Sequence, residues 1–167
     1  IGVLNNLRSG KGMSRVQQVL SVLESHPDVL HHETANASLV PEALAEFERE
    51  SVELLVVNGG DCTLQHVLSE LLSDEDRTWL PRMAPIRGGR TNMSAIDLGA
   101  HKDPAQGLAE LIADARAGRI AEREVERPVL RVDLGPDDGV QYGVFFGAGV
   151  LHRAVQLTPR YLPEGRS

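Results

Sequence analysis

The chain has 167 residues, of which 41% are apolar and 25% are charged, and its formal net charge is −7. This is the composition of a globular chain of one domain, or of one domain and part of a second, and it argues against disorder. The acidic balance argues against a nucleic-acid binder, which needs a basic stripe to neutralise phosphates. No stretch of about 18 apolar residues occurs, so no transmembrane helix is predicted.

Short apolar runs alternate with helical patterns through the first two-thirds of the chain, as in the β-α units that build a parallel sheet. Strands are predicted at 1–4, 29–33, 52–57 and 84–86, and helices at 14–25, 41–50, 64–72 and 104–117. The first helix begins with a capping box at Ser14 and Gln17, and the last one ends before Gly118 in the C′ position.

The pattern changes after residue 122. The segments 129–134 and 140–146 flank a loop rich in glycine and aspartate, which predicts a β-hairpin, and a helix is predicted to follow through Leu157. The hairpin either packs on the first domain or opens a larger β domain. We therefore divide the chain into an α/β nucleotide-binding domain, 1–122, and the incomplete start of a β-rich lipid or substrate domain, 123–167.

Three polar, glycine-bearing loops follow three predicted strands: 5–12, 58–63 and 87–92. In a parallel sheet they open on one edge, where ligands bind. Their glycines allow close approach to a phosphate, and the following helix adds the positive end of its dipole. Each loop alone is compatible with a plain connection, with Asp61 as a helix cap, but together they favour a phosphate site. Because Asp61 would repel a phosphate, we expect it either to hold Mg²⁺, through water, or to orient the surroundings of the transferring phosphate.

The three loops also resemble those of a known family. Asn6-Leu7-Arg8-Ser9-Gly10, Gly59-Gly60-Asp61-Cys62-Thr63 and Gly88-Gly89-Arg90-Thr91-Asn92 are similar, in this order, to the Asn-Pro-x-Ser-Gly, Gly-Gly-Asp-Gly-Thr and Gly-Thr-x-Asn loops of diacylglycerol kinase catalytic domains. That family includes sphingosine kinases and bacterial lipid kinases. Phe146-Gly147-Ala148-Gly149 resembles the start of its second domain.

The resemblance implies a parallel-sheet domain with helices on both faces, followed by a β-rich domain. It implies transfer of the γ-phosphate of ATP to a lipid hydroxyl, with ATP and Mg²⁺ as cofactors and Asp61 as the catalytic and metal-binding residue. The general base is expected beyond Ser167. The implied nucleotide contacts are Asn6, Leu7, Arg8, Ser9, Gly10, Thr34, Gly59, Gly60, Asp61, Cys62, Thr63, Leu64, Gln65, Thr91 and Asn92.

Four residues depart from the family pattern: Leu7, Cys62, His66 and Arg90. Cysteine replaces a glycine at position 62, which would cost about 1–2 kcal/mol if that position required positive φ. Two rival functions therefore stay open. One is a kinase of a soluble substrate, as in NAD kinase, which shares the second loop; the other is a nucleotide-binding regulatory protein without turnover.

The expected partners are a nucleotide and a lipid substrate, with no nucleic acid. The single cysteine fits a reducing cytoplasm. Arg82, Arg87 and Arg90 form a local basic patch suited to ATP or a lipid headgroup, so we expect a cytoplasmic protein with transient, peripheral contact at the inner membrane face. The sequence leaves the oligomeric state open, with a homodimer among the alternatives.

Overall fold

The structure is a computed structural model that describes residues 1–9, 13–136 and 139–147. Three predictions fall outside the described residues: the nucleotide contact at Gly10, the aspartates of the hairpin loop, and the helix through Leu157. The capping box at Ser14 concerns a side chain that is also outside this description.

Four parallel strands form the central sheet, in the order β2-β1-β3-β4. The strands are β1 Gly2–Asn6, β2 Leu30–Thr34, β3 Leu54–Gly59 and β4 Arg82–Arg87. The helices are α1 Met13–Glu24, α2 Val40–Arg49, α3 Asp61–Leu72, α4 Met93–Asp97 and α5 Pro104–Arg116. Two short 3₁₀ turns, Ala37–Leu39 and Ile120–Arg123, complete this part of the chain.

The sheet is covered on both faces, as predicted. Strand β3 is buried along its whole length, which fits its unbroken apolar run. Leu4 and Val57 belong to a core cluster with helices α2 and α3, whereas Val3 and Val56 belong to a second cluster with α1 and α5. Successive strand residues point to opposite faces, so each strand contributes to both clusters.

The order in which strands are added to the sheet reverses between β1 and β3: β2 is added on one side of β1, and β3 and β4 on the other. Helix α1 leaves β1 toward one face, and α3 leaves β3 toward the other. In open parallel sheets such a switch point forms a crevice beyond the carboxyl ends of the strands. The loops after β1 and β3 border this crevice, and the loop after β4 lies next to them.

The predicted hairpin is present, formed by the antiparallel strands β5 Leu130–Asp133 and β6 Val140–Gly143. It packs on α3: the Tyr142 amide donates to Ser69 Oγ at 2.9 Å, and Ser69 Oγ donates back to the Tyr142 carbonyl at 3.3 Å. Tyr142 and Val144 also pack against the core of α2 and α3. The hairpin therefore contacts the first domain, while the predicted boundary at residue 122 stays a prediction.

Helix α4 and both 3₁₀ turns are additions to the predicted elements. Helix α4 spans only five residues and has no apolar stripe of its own, since Met93 and Ile96 are exposed. None of the helices in the described segments combines the length and apolar character needed to cross a membrane.

Candidate functional site

The three glycine-bearing loops lie side by side at the carboxyl edge of the sheet. Asn5 of β1 pairs in register with Asn58 of β3, and Gly59 pairs with Arg87 of β4. The loops that follow these residues are hereafter the first, second and third loops. The three loops are about 50 and 30 residues apart in the sequence. In the structure they follow three adjacent strands, so they are neighbours in space.

The second loop is a short passage from strand to helix. Gly60 is the N-cap of α3, with extended backbone angles of φ −89° and ψ −178°, and no side chain caps this helix end. The first N–H groups of a helix have no partner within the helix, so they form a site suited to an anion. This is the part of the structure that most directly fits a phosphate.

Cys62 lies inside α3 and is exposed. Ser51 and Asn92 are the non-glycine residues with positive φ in the described segments, so Cys62 has an ordinary helical backbone. The backbone at position 62 therefore does not require glycine. The backbone strain that a positive φ would cause at Cys62 is therefore absent.

The glycines of the third loop pack directly on the second loop. A Cβ atom at Gly89 would lie 2.3 Å from Gly60 Cα, and one at Gly88 would lie 2.1 Å from Asn58 Oδ1. Both distances are far below van der Waals contact. Glycine is needed at both positions because two backbones approach each other, whatever ligand the loops bind.

The Asp61 carboxylate connects the second loop to the start of α4, directly after the third loop. Its Oδ1 accepts hydrogen bonds from Ser94 N and Ser94 Oγ, both at 2.8 Å, and its Oδ2 accepts one from Met93 N at 3.0 Å. Asp61 thus caps α4 from a neighbouring element. The sequence predicts that Asp61 holds Mg²⁺; the structure adds a capping role, which residue spacing alone does not reveal.

Asn92 shapes the third loop from within. It adopts the left-handed conformation, φ 55° and ψ 40°, which asparagine tolerates better than most residues. Its Oδ1 accepts from Gly89 N at 2.6 Å and its Nδ2 donates to Gly89 O at 2.7 Å. The side chain predicted as a nucleotide donor is therefore buried and bonded to its own loop.

Asn6 connects the first loop to the second. Its Nδ2 donates to Thr63 Oγ1 at 2.8 Å, and its Oδ1 accepts from Arg8 N at 3.0 Å. Leu7 N donates to the carbonyl of Thr34, at 3.1 Å, which places this buried threonine under the loop. Asn6 and Thr63 therefore join the first two loops by a hydrogen bond, and Asp61 joins the second loop to the start of α4, directly after the third loop.

The remaining predicted contacts divide into two groups. Ser9 is beside the second loop, since a Cβ on Gly60 would lie 3.7 Å from Ser9 Oγ, and Thr91 is exposed in the third loop. Leu64, by contrast, has its side chain in the core. Gln65 donates to Ser69 Oγ at 3.0 Å and to Gln141 Oε1 at 3.3 Å, so its side chain serves the hairpin.

A buried amide pair under the loops escaped the sequence analysis. Asn5 and Asn58 are 0% and 3% exposed, and Asn58 Nδ2 donates to Asn5 Oδ1 at 2.6 Å. Asn5 Nδ2 and Asn58 Oδ1 have no hydrogen-bond partner among the described residues. The signal was available, because both asparagines end apolar strands, but we assigned them to the loops.

Comparison with known proteins bears directly on these loops. Residues 1–122 match the family model described as the diacylglycerol kinase catalytic domain. The chain belongs to the diacylglycerol kinase catalytic domain family. The family inferred from the three loops is thus confirmed, over a segment that contains all of them.

Two of the similar solved structures are from Bacillus anthracis strain Sterne, one described as a proposed diacylglycerol kinase and the other as a diacylglycerol kinase. Each has a TM-score of 0.54 and 23% sequence identity, and covers 78% of this chain and 44% of the other. At this identity the similarity shows the fold. The chain spans less than half the length of these structures. No curated protein matches it significantly.

Proposed function

We propose that this chain is the nucleotide-binding part of an ATP-dependent lipid kinase that transfers the γ-phosphate of ATP to a lipid hydroxyl, such as that of diacylglycerol. The supporting observation is that three glycine-bearing loops lie together at the crevice of the sheet, held by hydrogen bonds and by backbone packing. Membership of the diacylglycerol kinase catalytic domain family supports the kinase class. The lipid acceptor and the use of ATP are part of the proposal.

The proposed phosphate site uses the uncapped end of α3 together with Ser9 and Thr91. The first N–H groups of α3 are available to phosphate oxygens, and the helix dipole favours negative charge there. Phosphoryl transfer depends mostly on positioning and electrostatic stabilisation, which backbone donors held by a rigid loop network provide. The hydrogen bonds of Asn6 and Asp61 supply that rigidity.

Magnesium fits this site in one limited way. The described residues contain no group of three or more His, Cys, Asp or Glu side chains that could form a metal site. Mg²⁺ commonly keeps several waters and binds one or two carboxylates together with substrate phosphates, and Asp61 is the carboxylate in the loops. When bound with a nucleotide, the ion would neutralise charge on the phosphate oxygens.

Fewer residues of this chain support the lipid acceptor than support the nucleotide site. The general base is proposed to come from beyond Ser167. Leu134, at the turn of the hairpin, and Phe145 and Phe146, which follow β6, are exposed apolar side chains that a lipid surface would cover. Transient, peripheral contact with the inner membrane face is part of the same proposal.

The two alternative functions differ in how far the structure supports them. A regulatory protein without turnover was motivated by Cys62, His66 and Arg90, and the helical backbone of Cys62 removes the strain argument at that position. A kinase of a soluble substrate would use the same loops. The acceptor therefore has to be decided by assay.

The first experiment measures binding of Mg-ATP and Mg-ADP to the 167-residue chain by calorimetry. Asp61→Ala should weaken Mg-ATP binding about tenfold or more, because three hydrogen bonds to a charged group are lost at the loops. Asp103→Ala is the matched control: Asp103 caps α5 through bonds to Ala105 N and Gln106 N and lies outside the three loops. It should leave the affinity unchanged.

Absence of Mg-ATP binding to a folded chain would contradict the proposed nucleotide site, as would equal affinity in the Asp61→Ala variant. The acceptor is then tested with the full-length protein, by phosphorylation of a lipid extract and of NAD in parallel. Labelled lipid supports the proposal, and labelled NAD supports the soluble-substrate rival.

A further inference from the structure

Ser94 provides most of what holds the Asp61 carboxylate. Of the three hydrogen bonds that this carboxylate accepts, two come from Ser94, one from its backbone N–H and one from its hydroxyl, both at 2.8 Å to Oδ1. Ser94 is only 4% exposed, so its hydroxyl is shielded from water. No salt bridge to Asp61 occurs in the described part of the chain.

The two carboxylate oxygens are used unequally. Each can accept about two hydrogen bonds, so Oδ1 is saturated by Ser94 whereas Oδ2, bonded to Met93 N at 3.0 Å, keeps one position open. A cavity of about 10 Å³ lies among Gly60, Asp61 and Ser94. That is the lower limit for a single water, so a hydrated cation has no room there.

The Asp61 carboxylate also caps the N-terminus of α4, which lacks a cap of its own. Asn92, the N-cap of α4, is in the left-handed conformation and makes no side-chain cap bond. Helix α4 has five residues, too few to be stable by itself. Its first N–H groups are satisfied by Asp61 instead, so the carboxylate and α4 stabilise each other's position.

We propose that Ser94 is a positioning residue of the nucleotide site. Its hydroxyl fixes the Asp61 carboxylate through Oδ1 and leaves the open position of Oδ2 for a single water, which would link the carboxylate to a phosphate or a phosphate-bound cation outside this cavity. Through this bond, Ser94 sets the third loop against the second. The inference rests on the proposed function, because it assumes that these loops bind a nucleotide phosphate.

The test compares Ser94→Ala, Asp61→Ala and the double variant in the 167-residue chain. Mg-ATP affinity should fall about tenfold in Ser94→Ala, the effect of one lost bond to a charged group. The double variant should bind no more weakly than Asp61→Ala alone, since Ser94 acts through Asp61. Ser73→Ala is the control, because its hydroxyl donates only to Ser69 O at the far end of α3.

A second measurement needs no ligand. Amide hydrogen exchange at Met93 reports the position of Oδ2, and it should accelerate in Ser94→Ala although the Met93 donor itself is unchanged. This exchange rate shows whether the Ser94 hydroxyl holds the carboxylate in place, and the absence of any further loss of Mg-ATP affinity in the double variant separates a positioning role from a merely structural one. Ser73→Ala should leave exchange at Met93 as in the unaltered chain.

Three results would overturn the inference: unchanged Mg-ATP affinity in Ser94→Ala, additive losses in the double variant, or unchanged exchange at Met93. Failure of the proposed function looks different, because then the unaltered chain itself binds no Mg-ATP. That result would also remove the positioning role, even if exchange at Met93 showed that Ser94 holds the carboxylate.

Discussion

The glycines at this site differ in how strictly the structure requires a residue without a side chain. Gly88 and Gly89 touch the backbone of the second loop, so a methyl group has no space at either position. Gly60 is less confined: a Cβ there would lie 3.4 Å from Gly89 Cα, an ordinary contact, and its φ of −89° is open to any residue. Sequence alone treats all of them as phosphate-binding glycines.

This difference predicts opposite outcomes for two alanine substitutions. Gly88→Ala should lower the free energy of unfolding by about 1–3 kcal/mol, because its methyl would overlap Asn58 Oδ1. Gly60→Ala should change it by less than about 1 kcal/mol. Urea unfolding followed by circular dichroism measures both. Equal stability of the two variants would show that the loops can separate to admit a methyl group.

At the scale of elements, periodicity predicted every strand of the sheet and its four longer helices. Strand β3 and helix α3 were recognisable because burial dictates their sequence directly. Helix α4 was not, since its stability comes from Asp61, which is 32 and 33 residues away from the amides it caps. Likewise the topology predicted where the three loops lie. The side chains that hold them in place could not be predicted, because their hydrogen bonds join residues far apart in the sequence.

The Ser69 hydroxyl contributes to docking of the hairpin on α3, beside the Gln65–Gln141 hydrogen bond and the apolar contacts of Tyr142 and Val144. Ser69→Ala removes the acceptor of Tyr142 N and the donor to Tyr142 O, and should cost about 1–2 kcal/mol locally. Amide hydrogen exchange at Tyr142 should accelerate accordingly, whereas Ser73→Ala, four residues along the same helix, should not affect it. Unchanged exchange at Tyr142 would mean that the apolar contacts of Tyr142 and Val144, together with the Gln65–Gln141 hydrogen bond, hold the hairpin without the Ser69 hydroxyl.

Across the whole molecule, an ion pair joins segments that are far apart in sequence. Arg116, near the end of α5, donates to both oxygens of Asp28, at 2.7 and 2.9 Å, in the turn before β2. These hydrogen bonds lower the pKa of Asp28 below its ordinary value of 3.8. A lowered carboxyl pKa stabilises the folded state above the ordinary value and ceases to do so as the pH falls through the folded-state pKa.

We therefore expect Asp28→Asn to be less stable than the unaltered chain at neutral pH and equal to it at strongly acidic pH. The difference should be small and should shrink in high salt, since both side chains are exposed. Denaturant unfolding at several pH values measures it. A stability difference that persists below the folded-state pKa would show that Asp28 acts through something other than its charge.

The amide pair of Asn5 and Asn58 also has a consequence for how the chain reaches its fold. In the native alignment of β1 with β3 these two residues stand opposite each other and share a hydrogen bond inside an apolar sheet. A slip of two residues in either direction would separate the two amides from each other, at the cost of burying polar groups without partners. The pair thus selects one register during strand assembly, and with it the equal height at which the first two loops begin.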